Sequence, residues 1–248
     1  MEIRSEELSE QARVPVRVRT GDVPRVEPAQ CSTSRCAQPA RGGIRYGTSS
    51  TSTTSYSCTS GFLSRNTSGT WYMMTAGHCV DQSNGGDRYQ NTYTSSGSQT
   101  RIRIFNVPST GWSINGRVDG ARGWIPDPAV WNPSRWVWYT VNAEAYQIHH
   151  KIGSLSSIAI GALVCRGGGP SLSDCGEVTD NSDQRQIDWG SPTGTKTAYL
   201  AYAEGICTRD GDSGGPVFSV QSNGDVQAAT AYGIASTSND GTLSLIHI

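Results

Sequence analysis

The sequence has almost no lysine, and it has no long apolar run. Of its 20 basic residues, Lys151 and Lys196 are the lysines, and the rest are arginines scattered along the chain. The formal net charge is −1, which gives no electrostatic reason for binding nucleic acid or an anionic membrane. No uninterrupted apolar stretch approaches the roughly 18 residues of a membrane helix. We therefore expect neither nucleic acid nor a membrane among the partners.

Paired Cys-x-x-Cys motifs and nearby histidines, which a zinc site requires, are also missing. We predict no metal and no cofactor. The seven cysteines are spaced as in short disulfide loops, which favours an oxidising compartment. From the cysteines we infer that the protein is exported. The start, MEIRSEELSEQ, is charged where a secretory signal is apolar, so we expect the signal to lie upstream of Met1 or to be missing.

The composition changes near residue 42. Residues 1–41 are rich in Arg, Glu and Pro and are interpreted as an N-terminal extension or pro-segment remnant. Beyond them helical periodicity is nearly absent, and strands dominate. The proline-rich stretch 125–136 predicts a seam, so we expect an all-β protein of two barrels, residues 42–130 and 131–248. Strands are predicted at 100–107, where alternation indicates one wet face, and at 135–141, 157–165, 215–220 and 226–236.

The segment TRDGDSGGPVFSV, residues 208–220, sets Ser213 among glycines. Glycine takes positive φ without steric penalty, so such a loop can aim backbone N–H groups at one point. A tight turn leading into the strand PVFSV is the alternative interpretation. A serine nucleophile needs a base, and histidine is the natural one.

His78 is the best candidate base among the four histidines. It lies in MMTAGHCV beside Cys79, where a disulfide would fix the backbone. His149 and His150 lie in a polar stretch and are expected on the surface, and His247 is next to the chain end. The pattern Gly-x-Ser-x-Gly also fits an α/β-hydrolase, but that order requires a helix and a scaffolded histidine after the serine. The order histidine, acid, serine is that of the chymotrypsin arrangement.

Together, TAGHC and GDSGG resemble the trypsin/chymotrypsin-fold serine endopeptidases. The spacing in CTRDGDSGG and in VCRGGGPSLSDCGEV is similar to the bacterial streptogrisin and alpha-lytic protease-like branch. The resemblance covers roughly residues 42–241. It implies two antiparallel Greek-key barrels with the active site in the cleft between them, and we expect the second barrel to be incomplete at its C-terminal end.

The resemblance also indicates the acid, because Asp119 precedes a segment similar to the one that follows the family's aspartate. Asp87 and Asp127 have ordinary turn interpretations, and Asp81 is too close to His78. The implied triad is therefore His78, Asp119 and Ser213.

Further residues follow from the resemblance alone. It implies an oxyanion hole of the Gly211 and Ser213 N–H groups and a buried Asp212 paired with Arg166 rather than with a freed N-terminus. The implied disulfides are Cys58–Cys79 and Cys165–Cys175. Cys31–Cys36 is a further possible pair, and the family partner of Cys207 is absent. The implied specificity pocket comprises Cys207, Thr208, Asp210, Ala235, Ser236 and Ser238, and it favours an apolar or small side chain.

The sequence thus predicts a secreted, monomeric serine endopeptidase that acts on proteins or peptides and has an N-terminal pro-segment. The alternative is a catalytically inactive homologue that acts as a binding or regulatory module, because GARG interrupts the apolar run after Asp119.

Overall fold

The structure, a computed structural model, describes residues 39–52, 58–81, 85–93, 99–115, 118–141, 146–188, 194–220, 228–237 and 243–247. These residues are almost entirely β. The strands of the N-terminal half are β1 (Arg45–Tyr46), β2 (Cys58–Thr59), β3 (Leu63–Arg65), β4 (Trp71–Thr75), β5 (Gly86–Tyr93), β6 (Gln99–Val107), β7 (Trp112–Asn115) and β8 (Val118–Trp124). Those of the C-terminal half are β9 (Trp136–Val141), β10 (Tyr146–Leu155), β11 (Leu163–Arg166), β12 (Asp174–Asp188), β13 (Thr195–Glu204), β14 (Pro216–Val220), β15 (Ala228–Thr237) and β16 (Leu243–His247).

Two single-turn helices accompany these strands in the described part of the chain: α1 (His78–Asp81) and α2 (Pro128–Trp131). None of the helices among these residues has the length and apolarity to cross a bilayer.

The N-terminal sheet runs β3–β4–β8–β6–β5, with β7 added to β8. Strand β1 pairs with β2, and Gly47 at its end bridges to Tyr89 of β5. The sheet curves around a buried cluster that includes Met73 and Phe105, with Tyr46 packed edge-on to Phe105 at 5.0 Å between ring centroids. Burying each such side chain contributes about 1.5–3 kcal/mol, so this cluster holds the sheet in its curved form.

Strand β6 departs from the predicted alternation. Its neighbour β5 pairs Arg88 with Phe105 and then Tyr89 with Arg103, which leaves Ile104 in a bulge. Ile104 and Phe105 are therefore both buried, whereas Ile102 is 37% exposed. The strand is present, but the prediction of one regular wet face is wrong.

The C-terminal strands form a closed ring. The order is β11–β12–β13–β16–β15–β14, and β14 pairs again with β11. Closure leaves no open edge within the ring. Strand β10 pairs parallel with β15, and β9 continues the sheet beyond β10. The all-β, two-barrel architecture predicted from the sequence is thus confirmed.

Two segments of the second half differ from the sequence prediction. The strand predicted at 157–165 begins only at Leu163, so its first part is wrong; residues 157–162 form a loop that buries Ile158 but leaves Ile160 64% exposed. The sequence predicts that the second barrel is incomplete at its C-terminal end. In the structure, however, β16 (Leu243–His247) pairs with both β13 and β15 and so completes the ring.

The two halves meet along a shared apolar cluster. Phe62 and Ala76 from the first half pack with Val137, Phe218 and Ile234 from the second. The proline-rich seam between the halves forms α2, whose first turn is capped by the Asp127 side chain accepting from the Val130 N–H at 3.1 Å. The boundary at residue 130 itself stays a prediction.

Candidate active site

The first part of the site is the contact between His78 and Asp119. Asp119 lies on β8, fully buried, and its Oδ1 accepts the backbone N–H of His78 at 2.8 Å. Its Oδ2 lies 2.6 Å from Nδ1 of the same histidine. The carboxylate thus favours the tautomer with the proton on Nδ1, which leaves Nε2 as the basic nitrogen.

Gly77 makes this contact possible. A Cβ at Gly77 would lie 2.9 Å from Asp119 Oδ1 and 2.4 Å from the Ser113 carbonyl oxygen. Any side chain there would push the start of α1 away from β7 and β8. The glycine before the histidine in TAGHC is therefore a packing requirement of the site.

A third residue holds the aspartate. Ser236, on β15 of the second barrel, is fully buried and donates its hydroxyl to Asp119 Oδ2 at 3.1 Å. The resemblance implies a place for Ser236 in the specificity pocket, and this contact with Asp119 is not predicted from the sequence. The strand that carries Ser236 also contains Thr230, Tyr232 and Thr237, so the sequence gives no signal that singles out this hydroxyl.

Ser213 lies in a glycine-bounded loop just before β14. Gly211 and Gly214 have φ of 92° and 85°, which side chains rarely adopt. The Ser213 carbonyl accepts the Thr59 N–H at 2.9 Å, and the Gly211 carbonyl accepts the Thr59 hydroxyl at 2.7 Å. Strand β2 of the first barrel therefore holds the Ser213 loop, which belongs to the second barrel.

Gly214 also meets the first barrel closely. A Cβ there would lie 2.1 Å from Thr75 Oγ1 and 2.5 Å from the Thr59 carbonyl oxygen. Its N–H donates to the Ala235 carbonyl at 2.7 Å. The loop is thus packed between the end of β4, which leads to His78, and the strand that carries Ser236.

The Cys58–Cys79 disulfide contacts both the His78 ring and the Ser213 backbone. Cys79 Sγ is 3.8 Å from Nε2 of His78 and 3.7 Å from the carbonyl oxygen of Ser213. Cys79 thus lies between the His78 ring, which Asp119 contacts, and the backbone of the buried Ser213.

The side chains of Cys58, His78 and Cys79 lie as close together as the ligands of a metal ion. Within the described ranges, ligand atoms of Cys58, His78 and Cys79 lie within 4.8 Å of one another. The two sulfurs are bonded to each other, so neither is a thiolate. The arrangement fits a disulfide beside an imidazole and not a metal centre.

Asp212 and Arg166 form a buried ion pair behind the loop. Both side chains are fully buried, and Arg166 Nη1 lies 3.1 Å from Asp212 Oδ1. The same carboxylate accepts the N–H groups of Ser171 and Arg209, each at 3.0 Å. Burial lowers the pKa of the Arg166 guanidinium, and the charge of Asp212 opposes that shift.

The residues of the implied oxyanion hole and specificity pocket have varied surroundings. Within the described part of the chain, no hydrogen bond uses the Gly211 N–H, so it can donate to a bound group. The Thr208 hydroxyl is buried and has no partner among these residues, and Asp210 is exposed. Cys207 is an exposed free thiol, while Ala235 is fully buried. Cys31, Cys36 and Ser238 lie outside the described residues.

Other candidates have different surroundings. Asp87 accepts from the Asn106 side chain at 2.8 Å, and Asp127 caps α2. His149 and His150 lie on β10, and Cys165–Cys175 forms a second disulfide across β11 and β12.

Comparison with known proteins gives a structural likeness only. No family model and no curated protein matches the sequence. The fold is similar to that of Thermobifida fusca protease A (22% identity, 84% of this chain and 90% of that chain, TM-score 0.55). It is similar to a Nocardiopsis protease (22%, 84% and 91%, TM-score 0.55) and to an alpha-lytic protease homologue, N4 (19%, 85% and 93%, TM-score 0.59). The chain has the two-barrel fold of the bacterial trypsin-like serine proteases.

Proposed function

We propose that the chain is a secreted serine endopeptidase that hydrolyses peptide bonds with Ser213, His78 and Asp119. The observation that carries the proposal is the buried Asp119 carboxylate, which binds both the backbone and the ring of His78. A buried acid that fixes an imidazole in one tautomer has little structural purpose unless the other ring nitrogen moves a proton.

The reaction begins when the Ser213 hydroxyl attacks the peptide carbonyl. His78 Nε2 accepts the hydroxyl proton, and the imidazolium is stabilised by Asp119, 2.6 Å from Nδ1. His78 then returns the proton to the leaving amine, which gives an acyl-enzyme. Water, deprotonated by His78, attacks the ester and releases the second product.

Negative charge on the carbonyl oxygen is stabilised by the N–H groups of Gly211 and Ser213. The positive φ of Gly211 and its unused N–H support this assignment. Removing one such donor typically costs about a hundred- to a thousand-fold in rate. The loop must therefore be rigid, and the contacts with Thr59 and Arg166–Asp212 supply that rigidity.

The ion pair bears on activation. Because Asp212 is paired with Arg166 inside the chain, the loop needs no newly released N-terminus to neutralise the carboxylate. Residues 1–41 then act as a pro-segment that assists folding. The two disulfides support export, since they persist in oxidising compartments.

The substrate side chain before the cleaved bond is apolar or small. Cys207 rather than an aspartate stands at the implied base of the pocket, which does not favour Arg or Lys. The fully buried Ala235 offers no histidine for an acidic side chain.

A fluorophosphonate probe tests the proposal. The wild-type chain should be labelled, and the Ser213→Ala variant should not. Ser219→Ala is the matched control, because Ser219 lies on β14 just beyond the loop and contacts the Tyr232 hydroxyl. A folded chain that the probe leaves unlabelled contradicts the proposal and favours a binding module of the same fold.

A further inference from the structure

Thr75 is the last residue of β4, three positions before His78, and it is fully buried. Its hydroxyl donates to the Thr59 carbonyl at 3.1 Å. The same oxygen leaves no room for a Cβ at Gly214, so it lies against the residue that follows Ser213. One side chain of the first barrel therefore contacts the Ser213 loop from the strand that leads to the proposed base.

Thr59 connects the Thr75 hydroxyl to the loop of the proposed oxyanion hole. The hydroxyl of Thr59 donates to the Gly211 carbonyl at 2.7 Å, and its N–H donates to the Ser213 carbonyl at 2.9 Å. Thr59 is fully buried, so these polar groups are shielded from water and need their partners. A shift of the Thr59 carbonyl therefore reaches both residues whose N–H groups are proposed to stabilise the oxyanion.

Tyr46 is the start of a chain of hydroxyl groups that donate in one direction. Its hydroxyl lies 2.8 Å from Thr75 Oγ1. A carbonyl oxygen only accepts, so the single Thr75 hydroxyl proton goes to Thr59, and Tyr46 must donate to Thr75. Burial raises the pKa of Tyr46 to about 12, which keeps this proton on the phenol at neutral pH. Hydrogen bonds that run in one direction polarise and strengthen one another.

We propose that Thr75 is a positioning residue for the oxyanion hole and that Tyr46 acts through it. The effect on hydrolysis rests on the proposed function, whereas the ordering of the loop does not. The Thr75 hydroxyl fixes the Thr59 carbonyl and sets how closely Gly214 approaches the end of β4. Both contacts hold the loop N–H groups where the oxyanion forms, so they act on the transition state more than on substrate binding.

Steady-state kinetics of the full chain on a peptide amide provide the first test. Thr75→Val keeps the shape of the side chain but replaces the hydroxyl with a methyl group, so kcat should fall by about tenfold or more with little change in KM. Thr75→Ser keeps the hydroxyl and should retain most of the wild-type kcat. Ser134→Ala is the matched control, because this partly buried hydroxyl lies between α2 and β9, donates to the Ala40 carbonyl at 3.2 Å, and should leave kcat unchanged when removed.

Tyr46→Phe tests the direction of the chain. This variant removes the donor to Thr75 but leaves the contact between Thr75 and Thr59, so kcat should fall less than in Thr75→Val. Because Tyr46 acts through Thr75, the double variant should have the kcat of Thr75→Val alone. Losses that multiply in the double variant would contradict the chain.

Native-state hydrogen exchange measures the loop independently of activity. The Gly214 N–H, which donates to the Ala235 carbonyl at 2.7 Å, should exchange about tenfold or more faster in Thr75→Val but not in Ser134→Ala. Faster exchange in a chain that hydrolyses no peptide supports the ordering of the loop by Thr75 and contradicts the proposed function.

Two results overturn the inference: unchanged exchange at Gly214 in Thr75→Val, and unchanged kcat in Thr75→Val of a chain that is an active peptidase. An equally low kcat in Thr75→Ser would also overturn it, because the hydroxyl would then have no part in the effect. Circular dichroism establishes that each variant is folded; should Thr75→Val not fold, Tyr46→Phe carries both measurements.

Discussion

Asp119 holds His78 through both of its carboxylate oxygens, one at 2.8 Å from the backbone nitrogen and one at 2.6 Å from Nδ1. Because the two contacts involve different parts of one residue, they fix the ring relative to its own backbone as well as the tautomer. A charge that only balanced an imidazolium would not need the backbone contact.

Asp119→Asn should lower kcat for peptide hydrolysis by about 10⁴-fold with a small effect on KM, because an amide in this position favours the wrong tautomer. Steady-state kinetics on a peptide ester and a peptide amide measure it. Asp87→Asn is the control, since Asp87 contacts Asn106 on the first barrel and should leave kcat unchanged. A loss below tenfold in Asp119→Asn would show that the acid lies elsewhere.

Ser236→Ala should lower the free energy of unfolding by about 1.5–3 kcal/mol, because the hydroxyl donates to a buried carboxylate. Urea denaturation at neutral pH measures the change. Ser219→Ala, whose hydroxyl contacts the neutral Tyr232 hydroxyl at 3.3 Å, should cost about 0.5–1.5 kcal/mol. Equal costs for the two variants would contradict a special contact with Asp119.

Arg166→Met should cost about 3–5 kcal/mol, because it leaves the Asp212 carboxylate buried without its cation. Adding Asp212→Asn should recover part of that loss. The surface pair Arg103–Asp87, 46% and 31% exposed, is the control; Arg103→Met should cost at most about 1 kcal/mol. A fully stable and active Arg166→Met variant would contradict the role of the pair.

Gly214→Ala and Gly161→Ala separate backbone strain from steric clash. Both glycines have positive φ, of 85° and 80°, but a Cβ at Gly161 meets only the Glu177 carboxylate at 3.9 Å. Gly161→Ala should therefore cost about 1–2 kcal/mol. Gly214→Ala should cost more and abolish labelling of Ser213, because its Cβ would overlap Thr75 Oγ1. Retained labelling in Gly214→Ala would refute the close packing of the loop.

We expect the ionisation of Tyr46 to lower the free energy of unfolding at alkaline pH. Its hydroxyl contacts Thr75 Oγ1 at 2.8 Å, and burial raises its pKa from 10.0 to about 12. The unfolded chain loses this proton first, so stability present below pH 10 is lost as pH rises toward 12, by up to about 1.4 kcal/mol per pH unit. Tyr46→Phe should show a shallower fall in urea denaturation between these pH values; an identical fall would exclude Tyr46 as the cause.

The sequence predicts the barrels, and it predicts His78, Asp119 and Ser213 as site residues because the sequence around each one resembles a family motif. TAGHC and GDSGG contain glycines that the structure shows to be close-packing positions, so the local pattern reflects a local constraint. The order histidine, acid, serine along the chain then favours the chymotrypsin arrangement of the three residues. For this part, local sequence carries the needed information.

The remaining features depend on distant contacts. The bulge at Ile104 follows from how β5 pairs with β6, and alternation within β6 alone does not reveal it. Ser236 and Asp119 are 117 positions apart, so their hydrogen bond exists only after the barrels meet.

The bond from the Thr59 N–H to the Ser213 carbonyl has a consequence for biosynthesis. It joins segments from opposite halves, and contacts of such large sequence separation form late and slowly. A nascent chain that has folded only its first half holds the histidine and the acid but no serine. A chain with the proposed activity therefore cannot cleave itself before both halves have folded.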